Sequence, residues 1–69
     1  MKIIYSYHAK KRMRQRGITE LEVEYVLKHA LYVKKSFENT KEAVGKINNR
    51  LIKIKFIEIE SYIKIITII

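Results

Sequence analysis

Ser6-Tyr7-His8-Ala9-Lys10-Lys11-Arg12-Met13-Arg14-Gln15-Arg16-Gly17-Ile18-Thr19-Glu20-Leu21-Glu22-Val23 holds two helix starts and one helix stop in a single uninterrupted stretch. Ser6 can cap a first helix, and Gly17 stands where a left-handed C′ residue is wanted. Ile18 is spaced to touch Met13 in the contact that accompanies such a stop. These signals predict a helix over about 7 to 16. Thr19 and Glu22 have the spacing of a capping box, and Ile18 and Val23 that of a hydrophobic staple, so a second helix starts at once. In it Val23, Val26, Leu27, Ala30 and Leu31 gather on one face, while Glu24 and Lys28 form an outward i,i+4 pair of favourable order.

Beyond Leu31 the period changes to two. Leu31, Val33, Lys35 and Phe37 alternate with Tyr32, Lys34 and Ser36, which predicts a strand ending at the polar Glu38-Asn39-Thr40 break. A second strand is expected over about 41 to 47, and Asn48-Asn49 reads as a two-residue hairpin turn, because asparagine tolerates the positive φ such turns demand. The third strand, about 50 to 57, puts Ile52, Ile54 and Phe56 on one face and Lys53 and Lys55 on the other, and the phase break at Ile57 signals a bulge or an end. Glu58 to Ser61 turn the chain. Residues 62 to 69 form a fourth strand, apolar enough to be covered on both faces or to lie centrally in the sheet. Residues 2 to 5 can add a short strand of their own. The expected architecture is a single α+β domain over 1–69, with two N-terminal helices packed on a three- to four-stranded antiparallel sheet.

Sixty-nine residues bury only about 60% of their unfolded surface, and with no cysteine there is no disulfide to help. Packing, or a second copy in a homodimer, must supply the stability. The histidines and carboxylates show no metal-ligand spacing, so neither a metal nor another cofactor is expected. No run reaches the roughly 18 apolar residues of a membrane span, and the early basic run leaves no room for a secretory leader, so a cytoplasmic location is expected and a membrane partner is not. Fifteen Lys and Arg against seven Glu leave a net charge of +8. In so short a chain that balance favours a nucleic-acid partner.

His8, Arg12 and Arg16 recur four residues apart on the first helix, within roughly 80° of one another. Arginine forks can hold two oxygens of one phosphate, and an imidazole beside them can move a proton to or from a ribose 2′-oxygen or a leaving 5′-oxygen. The guanidinium charges would also stabilise the extra negative charge of a phosphorane. The stripe therefore reads as the catalytic set of a metal-independent endoribonuclease. Basic residues at this spacing also occur on plain solvated helices, and a non-catalytic nucleic-acid-binding module would use the same residues to hold backbone phosphates. Lys53 and Lys55 are RNA-binding candidates from charge alone. Of the tyrosines, which could stack on bases, Tyr25 and Tyr32 read as packing residues, and His29 reads as structural or solvated.

The pattern Ser6-x-His8-Ala9-x-x-Arg12-Met13-x-x-Arg16-Gly17-Ile18-Thr19, followed by Glu22-Val23 and later by Ile65-Ile66-Thr67-Ile68, resembles the "domain of unknown function 4258" family. Residues 31 to 60 match only in pattern. The resemblance implies kinship with small RNase toxins of the RelE, barnase and colicin type, and hence a RelE-like fold and a hydrolase acting on RNA, free or ribosome-bound. It also implies a small acidic antitoxin protein as partner. Carried onto this sequence, it marks His8, Arg12, Arg16 and Thr67, the last as a residue that orients RNA or His8.

Overall fold

The computed structural model describes residues 2–69. The elements run β1 (Lys2–Tyr5), α1 (Tyr7–Arg16), α2 (Glu20–Lys28), β2 (Tyr32–Lys35), a short 3-10 turn (Phe37–Asn39), β3 (Lys41–Ile47), β4 (Arg50–Ile59) and β5 (Tyr62–Ile68). The strands form one sheet in the order β1-β5-β4-β3-β2. Two helices on a sheet match the expected α+β class, but the sheet has five strands and is mixed. β1 pairs parallel with β5, in register Lys2 with Tyr62 through Tyr5 with Ile65. The expectation of three or four antiparallel strands missed this because β1 is only four residues long and finds its partner at the far end of the chain. Helices α1 and α2 form the crossover between β1 and the rest of the sheet.

The helix boundaries follow from local chemistry. Ser6 Oγ accepts from Ala9 N at 3.0 Å. At the other end of α1, Gly17 adopts φ 65°, Gly17 N donates to Arg14 O, and Ile18 N donates to Met13 O at 2.9 Å. Both halves of the capping box on α2 are made, Thr19 N to Glu22 Oε1 at 2.8 Å and Glu22 N to Thr19 Oγ1 at 3.2 Å. Asn48 and Asn49 take φ 50° and 63° in the two-residue turn between Ile47 and Arg50, as expected.

Both helices cover one face of the sheet, α1 on β5 and α2 on β3 and β4. Ala9, Met13, Val23 and Val26 pack there against Ala43, Ile52, Ile54, Phe56, Ile65 and Ile68. Ile65 and Ile68 share the core face although they are three apart, because a bulge intervenes. Lys55 pairs with Thr67 but Phe56 pairs with Ile65, leaving Ile66 without a partner on β4. No bulge or strand end falls at Ile57, where one was expected: β4 runs on to Ile59 with its alternation intact, and the extra residue belongs to β5. The bulge also serves α1, since Ser6 Oγ donates to Ile66 O at 2.7 Å and Ser6 N donates to Ile65 O at 3.0 Å.

Strand β2 departs from its expected role. Neither helix packs on it, so its alternation has no covered face and all four residues are exposed. Leu31, expected on the buried face of α2, lies beyond the end of that helix and is 65% exposed; Phe37 is 83% exposed.

Gly45 shows how closely α2 approaches β3. A Cβ at this position would lie 2.9 Å from Val26 Cγ1 and 3.1 Å from Cγ2. Gly45→Ala should therefore lower stability by about 1–3 kcal/mol through overpacking. Val26→Ala in the same chain should return part of that loss. A denaturant series over the two single variants and the double variant measures the coupling, and strictly additive losses would contradict it.

Candidate functional site

The position of the stripe follows from what its neighbours on α1 touch. Ala9 and Met13 are buried against β5 and set the inward direction of the helix. Lys10, 100° to one side of Ala9, pairs with Glu20 at 3.7 Å, and its ammonium lies 5.9 Å from the centre of the Tyr5 ring. That flank faces β1 and the start of α2. His8, Arg12 and Arg16 follow the opposite flank, away from α2. His8 and Arg16 are exposed and Arg12 is partly buried. Among the described residues no carboxylate pairs with any of the three, whereas Lys10, Lys34 and Lys41 each have an acidic partner. The carbonyl of Arg16 accepts a hydrogen bond from Arg50 Nη2, which ties the end of α1 to the start of β4.

Lys53, Lys55 and Thr67 lie on the sheet face that the helices leave open. Thr67 is the cross-strand neighbour of Lys55, and Lys55 is in turn the neighbour of Glu42. Glu42 also receives Lys34 at 3.9 Å, so a row of Lys34, Glu42, Lys55 and Thr67 crosses four strands. A carboxylate in this row offsets part of the Lys55 charge. Lys53 faces the buried Val44 and keeps its charge unopposed. The structure therefore sets His8, Arg12 and Arg16 along one flank of α1 and, separately, Lys53, Lys55 and Thr67 on the open face of the sheet. No hydrogen bond or ion pair joins the two sets among the described residues. They meet through the main chain, where Ser6, two residues before His8, is bonded to Ile65 and Ile66, directly before Thr67.

Four further lysines on the open face, Lys2, Lys34, Lys46 and Lys64, were not singled out from the sequence. Period-two alternation puts Lys34 and Lys46 in phase with their strand neighbours on this face, but it misplaces Lys64, three residues before Thr67, which shares that face only because of the bulge at Ile66. Tyr5 is partly buried, and its hydroxyl is the one buried side-chain polar atom without a partner among the described residues. Its burial, with Glu20 and then Glu24 nearby, pushes the phenol up to about 12. Such a group holds its proton through the neutral range and cannot act there as a base. The unfolded phenol ionises near 10, so stability should fall as pH rises from about 10 to about 12. Tyr5→Phe should lessen that alkaline loss without lowering stability at neutral pH, since the hydroxyl has no partner to lose. Thermal melts of both proteins across this window give the comparison, and parallel curves would contradict it.

The chain matches the family described as "Domain of unknown function (DUF4258)" over residues 5–69. It belongs to that family. The match takes in α1, α2 and β2 to β5, and with them every residue of both candidate sets. No curated protein and no solved structure gives a significant match to this DUF4258 chain. No group of three histidine or carboxylate side chains is placed to hold a metal ion among the described residues, and no helix there is long and apolar enough to cross a membrane.

Proposed function

We propose that this chain is a small endoribonuclease of the RelE-like toxin type, which cleaves RNA by moving the phosphate from the 5′-oxygen to the neighbouring 2′-oxygen. The observation that supports this most is the flank of α1 on which a histidine and two arginines stand free of carboxylates while the opposite flank is paired. In this reading Arg12 and Arg16 grip the non-bridging oxygens and stabilise the charge that builds on phosphorus. His8 takes the proton from the 2′-hydroxyl or delivers one to the departing 5′-oxygen. Thr67, on the open face beside Lys55, contacts the substrate rather than His8, from which the sheet separates it. The natural substrate is RNA, free or on the ribosome, and a small acidic antitoxin would neutralise the +8 chain.

A second reading has its own support. The lysines of the open face, Lys53 foremost, could hold phosphates with no help from His8, as a non-catalytic RNA-binding module would. Purified protein incubated with ribosome-free and ribosome-bound RNA in EDTA separates the two. The nuclease reading expects cleavage that survives chelation, together with RNA affinity that falls steeply with salt as counterions are released. Binding with no cleavage of either RNA would favour the module, and affinity indifferent to salt would contradict both.

A further inference from the structure

The chain has five tyrosines, and the structure gives them different circumstances. Tyr5 is buried at its hydroxyl. The Tyr25 ring lies against that of His29, centres 4.7 Å apart and planes tilted by 40°. Tyr32 lies on edge strand β2 and Tyr62 is partly buried at the start of β5. Tyr7 is 84% exposed, makes no side-chain hydrogen bond and belongs to no buried cluster. Its ring contributes little to the fold. It is also the first residue of α1, directly before His8.

We propose that Tyr7 is a stacking platform for an unpaired nucleobase next to the phosphate held by His8 and Arg12. Two features of the structure favour this place. The start of α1 is fixed by three hydrogen bonds of Ser6, to Ile65 O, to Ile66 O and from Ala9 N, so the ring is carried on a set backbone. Cα–Cβ bonds on a helix tilt toward its N-terminus, so the side chains of Tyr7 and His8 both lean toward the Ser6–Ile66 junction. Tyr7 stands roughly 100° around the helix from His8, on the side away from Arg12, so a nucleotide with its phosphate at His8 would straddle the first turn to lay its base on the Tyr7 ring. Phe37 exposes as much ring, but it lies in the loop between β2 and β3, with β3 and β4 between it and β5. An aromatic face accepts any base, so the subsite selects single strands over duplexes rather than one sequence over another.

This inference rests on the RNA reading above, and its test separates the failure of one from the failure of the other. Anisotropy of a short fluorescein-labelled single-stranded RNA is measured with the wild type, Tyr7→Phe and Tyr7→Ala. Tyr7→Ala should raise Kd about tenfold, while Tyr7→Phe, which keeps the ring, should stay within about twofold of the wild type. The salt slope should be the same for all three proteins, because no charge is lost. Blunt duplex RNA should bind all three alike. The melting temperature of Tyr7→Ala should match the wild type, as befits an exposed ring. A wild type that binds the RNA with Tyr7→Ala binding equally well would overturn the platform and leave the RNA reading standing. Tyr7→Phe as weak as Tyr7→Ala would overturn stacking in favour of the hydroxyl. A wild type that does not bind the RNA would overturn the RNA reading and the platform with it.

Discussion

His8→Ala is expected to lower the rate of RNA cleavage by about 10²–10⁴-fold while changing RNA affinity little. An imidazole adds little Coulombic attraction beside the fifteen Lys and Arg of the chain, so its loss should appear in turnover rather than in binding. Arg12→Lys keeps the charge and loses the two-pronged fork, and it too should reduce the rate more than the affinity. A binding module would respond differently. In that case His8→Ala and Arg12→Lys would be nearly silent, and Arg12→Ala would weaken binding to all sequences, with the salt slope reduced by about one. Equal cleavage by wild type and His8→Ala would point to a contaminating nuclease.

The largest expected effect on stability belongs to Ile54→Ala. Ile54 is fully buried at the centre of β4, with Ala43 and Ile68 as its cross-strand neighbours on the face under the helices. Truncating a buried isoleucine to alanine costs about 2–5 kcal/mol through lost transfer energy and the cavity left behind. A single core in so small a domain supplies only about 3–5 kcal/mol in total. Ile54→Ala should therefore be largely unfolded at 25 °C by circular dichroism, whereas Ile54→Val should fold with a lower urea midpoint. A cooperative Ile54→Ala melt near that of the wild type would show that other interactions hold the domain together.

Residues 6 to 23 were legible in the sequence because caps and stops are local. Ser6, Gly17, Thr19 and Glu22 each act on backbone groups within a few residues, and each is found bonded as its spacing requires. The Asn48-Asn49 turn was legible for the same reason. Strand β1 was less so, since Lys2–Tyr5 pair with Tyr62–Ile65 and no local signal reports that distance or its parallel sense. Exposure of Leu31 and Phe37 depends on which strands the helices cover, and the period of β2 carries no trace of it. The bulge at Ile66 left no signal in the sequence, because β4 alternates without a break and the apolar run of β5 hides its own change of phase, although the Ile66 carbonyl anchors α1. For the candidate site, angular arithmetic placed His8, Arg12 and Arg16 on one stripe. It could not give the side of the sheet occupied by Thr67, which lies with Lys55 on the open face.

The ends left on a cleaved RNA test the central claim most directly. Wild-type protein in EDTA should leave a 2′,3′-cyclic phosphate on one fragment and a 5′-hydroxyl on the other, because the 2′-oxygen attacks phosphorus and the 5′-oxygen leaves with a proton. A substrate with a single 2′-deoxy residue at the cut site should stay intact. Fragments ending in a 3′-hydroxyl and a 5′-phosphate, or cleavage at the 2′-deoxy position, would contradict the account.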